Sequence, residues 1–222
     1  MEGTKYMEEP VEQADSDAEE EIKEHKEGQF QLTFHLDKFA GALTDGGKVV
    51  VCDPGTAQAL VKIVFDTELS EVGKVEVTAE GKTEDALTIH AAKGVVFVFV
   101  LPSMSASHCS QAIDTIYPSI AQKNCLIVGL HTVYKTAYAT SDGHMAIDSE
   151  KPYPIKFTKT SHSDPALEAF LASSKEQIEA DTAFNRTSGM TAGLLMESEM
   201  NGKAAVSFKC IVGEHFITTE SL

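Results

Sequence analysis

Val95 to Leu101 reads as seven apolar residues without a polar interruption, and this run sets the terms for everything around it. It is far short of the ~20 residues that cross a bilayer, and its β-branched and aromatic content suits a strand buried on both faces. Such a strand needs cover above and below. Lys48 to Cys52 has the same character and stops at Asp53-Pro54, where Asp can cap a helix and Pro can take its first position. Cys125 to Leu130 is a third run of this kind. Helical spacing fills the gaps, with Leu60, Val61, Val64 and Phe65 after the first run and Cys109, Ile113, Ile116 and Ile120 after the second. Pro118 is expected to end or bend that second helix before Ile120. Strand, tight turn and helix in alternation predict an α/β fold, a largely parallel sheet with helices on both faces.

The remaining segments extend this pattern. Phe30, Leu32, Phe34 and Leu36 alternate with polar residues as in a half-buried strand, and Asp45-Gly46-Gly47 turns the chain. Val75 to Thr78 and Leu87 to His90 predict two short strands joined by Glu80-Gly81-Lys82. His131 to about Glu150 is polar and reads as a long loop, and long loops are commonly functional. Pro152 to Thr160 reads as an edge strand because its prolines would interrupt a central ladder. Asp164-Pro165 opens a helix carrying Leu167, Phe170, Leu171 and Ile178. Another begins near Thr187, gathers Met190, Leu194 and Leu195, and stops at Asn201-Gly202 before a strand from Ala204 to Val212. Gly189 and Gly193, four apart, are expected to let this helix lie close on the sheet.

Charge narrows the partners. The formal net charge is −16, and half of it lies in residues 1–29, where eleven acids face three lysines. A segment so acidic and so poor in apolar residues cannot offset the ~1 to 2 kcal/mol per residue of chain entropy, so it is expected to be a disordered tail before a single domain at 30–222. An acidic chain without clustered Lys and Arg is not expected to bind nucleic acid, and no run long enough suggests a membrane. Four scattered cysteines, Cys52, Cys109, Cys125 and Cys210, without a Cys-x-x-Cys pair or a signal segment, point to a reducing compartment: the cytoplasm, with the nucleus also open to it.

No catalytic constellation emerges from the motifs. Asp53-Pro54-Gly55-Thr56 lies at a strand-to-helix junction but lacks both the dinucleotide and the Walker glycine spacing, so it reads as a helix cap. Asn185-Arg186-Thr187-Ser188-Gly189 precedes a helix and adds a cation, yet close packing of small residues explains it more simply. His108 and Cys109 are neighbours in a helix and point about 100° apart, which prevents a nucleophile-base pair. His131, His144 and His162 fall in or beside loops with Asp142, Asp148 and Asp164, without metal-site spacing, and are read as surface histidines. Ser103, Ser105, Ser107 and Ser110 have no nucleophile elbow around them. The expectation is a chain that is not an enzyme, with no cofactor and no bound metal.

A resemblance supplies a positive reading. Val95 to Leu101, a helix ending near Tyr117, Asn124-Cys125-Leu126-Ile127-Val128, and Thr132-Val133-Tyr134-Lys135-Thr136 with Ser141 and Gly143 resemble the middle of the proteasome assembly chaperone 1 family. Ile155 to Thr160, Pro165-Ala166-Leu167-Glu168, the small-residue helix Gly189 to Leu195, the strand through Cys210 and Phe216 to Glu220 continue in the same order. The resemblance implies an α/β sandwich related to nucleoside phosphorylases but without their activity. It also implies a heterodimer with a chaperone 2-like subunit that binds the proteasomal α-ring, promotes its assembly and blocks unproductive ring association. Tyr134, Lys135 and Thr136 are the candidate protein-binding residues. The family commonly ends in a hydrophobic residue, tyrosine and any residue, whereas this chain ends Glu220-Ser221-Leu222, as expected of a shorter member or an incomplete chain. Two other functions compete: a nucleoside phosphorylase or nucleosidase-like enzyme, and a generic chaperone acting through its acidic tail.

Overall fold

The β-branched run at 48–52 becomes the middle of a sheet. In this computed structural model, which describes residues 30–134, 154–181 and 187–212, β2 (Lys48–Cys52) pairs in parallel with β5 (Val95–Val100) on one side and β6 (Leu126–Tyr134) on the other. β9 (Ala205–Val212) joins β6, also in parallel. These four strands are covered on both faces, which is why their sequences are nearly continuous in apolar residues. Antiparallel strands extend the sheet on each side. β1 (Gln31–His35), β3 (Ser70–Ala79) and β4 (Lys82–Ala92) continue it beyond β5, while β7 (Ile155–Lys159) adds to β9 and carries β8 (Ile178–Ala180) in parallel outside it. The order across the sheet is β1-β3-β4-β5-β2-β6-β9-β7-β8. The α/β expectation is met, with the parallel pairing concentrated at the centre.

Helices cover both faces. α1 (Phe39–Ala42), α3 (Ala106–Gln122) and α5 (Gly189–Met200) share one core with Val49, Val51, Ile89, Val98 and Ile127. On the opposite face α2 (Thr56–Phe65) packs through Val61 on Phe97 and Phe99, and α4 (Pro165–Ser173) packs through Leu167 on Leu126 and Val206. The Asp164 carboxylate accepts a hydrogen bond from the Leu167 amide at 2.8 Å with Pro165 in the first turn, as the local sequence predicts. Asp164→Ala is therefore expected to lower stability by about 1 kcal/mol in urea titration, with Asp164→Ser restoring most of it.

Several local readings are corrected. β3 and β4 are not short strands but a long hairpin, because antiparallel strands exposed on one side tolerate the polar residues that flank Val75 and Leu87. α3 does not end at Pro118 but continues to Gln122: Pro118 and Asp114, whose carbonyl loses its donor, both face solvent, while Ile116, Tyr117 and Ile120 hold the last turns on the core. His131 to Tyr134 are strand rather than loop, drawn into the sheet by pairing with Lys209 to Val212. β7 is not an edge strand, since Pro154 precedes its ladder and β8 flanks it; Ile178 belongs to β8 and not to a helix. Gly193 does not lie on the sheet. A Cβ there would sit 2.2 Å from Ile113 Cδ1, so it permits the close approach of α5 to α3, whereas Gly189 is required for its φ of +67°. α5 approaches the sheet closely where Thr191 stands against Gly129. The acidic segment 1–29 lies outside the described residues.

Candidate interaction surface

Periodicity places apolar residues all along α2, more than one face can bury, and the structure buries only part of them. Gln58, Val61 and Phe65 turn toward the sheet. The Gln58 amide donates to the carbonyls of Cys52, at 3.1 Å, and Val100, pinning the first turn to the ends of β2 and β5. Phe65 meets Phe97 at 4.8 Å between ring centroids, and the Lys62 ammonium lies 5.3 Å above the Phe99 ring, on the β5 side of the helix. Leu60, Ile63 and Val64 are left 58%, 72% and 63% exposed. Of the four residues grouped by helical spacing, Val61 and Phe65 meet the sheet while Leu60 and Val64, with Ile63 beside them, form an apolar outer side.

The neighbouring surface is also apolar. On α4 of the same face, Phe170 is half-exposed and meets Phe208 edge-on at 6.0 Å. Between the two helices lie partly buried Leu130, packed with the α2 cluster, and Val128 and Phe208, packed with the α4 cluster. Side chains alternate along a strand, so Tyr134 falls on the same face as Val128 and Leu130, at the carboxyl end of β6, 43% exposed. Of the three residues singled out by the sequence, Tyr134 therefore adjoins this surface, while Lys135 and Thr136 lie outside the described residues. The exposed stripe of α2 was missed because spacing identifies an apolar position without saying whether the same chain covers it.

The other sequence candidates resolve differently. Asp53 does not cap α2. Gly55, at φ +119°, occupies that position without a side-chain bond, and the Asp53 carboxylate pairs instead with His131 Nδ1. His131 is buried rather than on the surface, because the register that sets Cys52 beside Leu130 sets the next residues side by side. His108 accepts from the Ser105 amide through Nδ1 at 3.2 Å and meets Phe30 edge-on at 4.2 Å, which makes it part of a capping box. Burial pushes the Cys52 thiol up to about 12, with Asp53 adding to the effect, and burial also raises Cys109, Cys125 and Cys210. These four thiols stay protonated at neutral pH and are poor nucleophiles. His162 Nε2 lies 3.3 Å from the Glu199 carbonyl at the end of α5, far from Asp53 and His131. Asp142, His144, Asp148, Asn185 and Arg186 lie outside the described residues. Among the described residues no three His, Cys, Asp or Glu side chains converge to hold a metal ion, and no helix is long and apolar enough to cross a membrane.

No protein-family model matches this chain, and no curated protein matches it. Solved structures do. The chain is similar to PbaA of Pyrococcus furiosus, described as an archaeal homolog of proteasome-assembly chaperone, with a TM-score of 0.56 at 11% identity over 82% of this chain and 72% of that one. It is similar to PbaB of the same organism, described as an archaeal proteasome activator, with a TM-score of 0.52 at 8% identity over 83% and 80% of the two chains. A Thermoplasma acidophilum protein of unknown function gives 0.54 at 19% identity over 80% and 71%. At these identities the likeness is one of fold.

Proposed function

We propose that this chain is a proteasome assembly chaperone that pairs with a chaperone 2-like subunit and binds the α-ring of the core particle, promoting ring assembly and blocking unproductive ring association. The observation that carries the reading is the solvent-facing Leu60, Ile63 and Val64 stripe, on a fold similar to a chaperone homolog and a proteasome activator. A chain working alone would gain nothing from displaying three apolar side chains beside a half-exposed phenylalanine, whereas a subunit completed by another protein does. The stripe is the core of the heterodimer contact, expected to bury ~800 Å² per side. Tyr134, with Lys135 and Thr136, serves the α-ring, and the partner supplies the hydrophobic-tyrosine tail. Two modest contacts joined in one complex tighten binding by ~100-fold through effective concentration. The chain works in the cytoplasm, with the nucleus also open to it, without turnover, cofactor or metal.

Affinity purification of the full-length chain from its native cell, followed by mass spectrometry, tests this reading. The expected outcome is co-elution of one chaperone 2-like subunit and of proteasome α subunits. Tyr134→Ala combined with Lys135→Ala is expected to lower α-ring capture about 10-fold, as loss of an interface anchor does, while the heterodimer persists. Co-elution of neither component overturns the proposal, and loss of the heterodimer in the double variant overturns the assignment of Tyr134 and Lys135.

A further inference from the structure

α3 and α5 each precede one of the parallel strands, β6 and β9, so both run from the carboxyl end of those strands toward the amino end, side by side over one core. Residues 80 apart meet across them: the Tyr117 hydroxyl donates to the Glu197 carbonyl at 3.0 Å, and one turn earlier Ile113 stands against Gly193. A further turn back, the same offset sets Cys109 opposite Gly189, where no side chain fills the space. A Cβ at Gly193 would fall 2.2 Å from Ile113 Cδ1, whereas one at Gly189 would meet no described atom within 4 Å. The helices touch at Gly193 and leave beside that contact a groove of about 210 Å³, lined by Cys109 and Ile113, both buried.

The chemistry of this groove is apolar within and acidic at its sides. Met196 of α5 forms one lip and is 59% exposed, and an unbranched thioether adapts to whatever packs on it. An apolar cavity of ~150 Å³ accepts a benzene ring, so the groove has room for one large apolar side chain. Asp114 of α3, exposed, and Glu197 of α5, half-buried, stand on opposite sides. The Glu197 carboxylate accepts from the Asn201 amide at 3.4 Å, and among the described residues neither acid is held in an ion pair. No Lys, Arg or His lines the groove, and the net charge of −16 reinforces the local field. Carboxylates beside low-dielectric walls draw opposite charge and repel an acidic visitor.

The geometry points to a docking site for a basic segment of a partner protein, one that sets a large apolar side chain between α3 and α5 and its flanking lysines or arginines against Asp114 and Glu197. It is separate from the α2 stripe, which lies on the opposite face of the sheet, and it stands whether or not the chaperone reading does.

Fluorescence anisotropy of a labelled peptide, one phenylalanine between two pairs of lysines, titrated with the full-length chain, tests the site. Saturable one-to-one binding is expected, weakening as salt is raised, and about 10-fold tighter than that of the same peptide with glycine for phenylalanine or glutamate for lysine. Asp114→Asn with Glu197→Gln should weaken it about 5-fold, as loss of two solvent-facing ion pairs does. Ser110→Phe, at an exposed position on the groove wall, fills the space and should weaken it 10-fold or more without altering the circular dichroism spectrum. Absence of binding by the unaltered chain overturns the proposal. So does binding indifferent to the phenylalanine or to both variants, which is attraction to the acidic chain at large, and so does equal binding of the glutamate peptide. A dimer of the unaltered chain that Ser110→Phe dissociates would assign the groove to a second copy and overturn it as well.

Discussion

Leu60→Lys, Ile63→Lys and Val64→Lys together are expected, on the proposed function, to abolish association with a chaperone 2-like subunit and leave the isolated chain folded. The three side chains account for almost nothing inside the domain: Gln58, Val61 and Phe65 hold the helix to the sheet, and lysine is a good helix former. The melting temperature should move by no more than about 2 °C, the effect of surface changes near 0.5 kcal/mol in a domain of this size. At an interface the same changes desolvate three ammonium groups against an apolar surface. Hot-spot losses of 2 kcal/mol or more per anchor make the combined weakening at least ~100-fold. Size-exclusion chromatography of the co-expressed pair, with thermal melting of the variant alone, measures both halves. A heterodimer that survives the triple change would place the contact elsewhere on the molecule.

The second large effect lies where α5 meets the sheet. A methyl group at Gly129 would fall 2.2 Å from Thr191 Cγ2. Thr191 is β-branched and fully buried, so it cannot swing aside, and β6 is fixed between β2 and β9. Either α5 rises or the strand bends. Gly129→Ala is therefore expected to cost about 3 kcal/mol, at the upper end of the usual overpacking range. Thr191→Ser removes Cγ2 and keeps the hydroxyl, so adding it to Gly129→Ala should return most of that loss. The sign of the coupling in a double-mutant cycle, read from urea titrations, is the decisive quantity. Additive costs would mean that Gly129 is needed for some reason other than the methyl of Thr191.

The parts of the fold legible in the sequence are those in which one chain segment meets its own cover. The runs at 48–52, 95–100 and 126–130 are strands because apolar residues on consecutive positions have to be buried on both faces, and α3 and α5 follow from their periodicity. What stayed hidden depends on partners distant in the chain. His131 to Tyr134 look like loop until β9 pairs with them, and β8 is three residues with no strand signal of its own. The candidate site divides in the same way. Tyr134 was found through a local resemblance, but the exposure of Leu60, Ile63 and Val64 depends on what α2 does not touch, and the pairing of half-buried Asp53 with buried His131 depends on strand register. No periodicity carries either fact.

The position of β9 has a consequence for how the molecule is made. It lies between β6 and β7, yet it is the last strand in the chain among the described residues, so the ribosome delivers the two neighbours first. Roughly 80 residues separate the end of β6 from the end of β9, and at ~5–20 residues per second that is several seconds of translation. During this interval β6 presents an unpaired edge beside an apolar face, and β7 and β8 have no place to dock. A nascent chain in this condition is open to pairing with another copy on the same polysome, which makes the final stretch of translation the period when it most needs to be kept apart from its siblings.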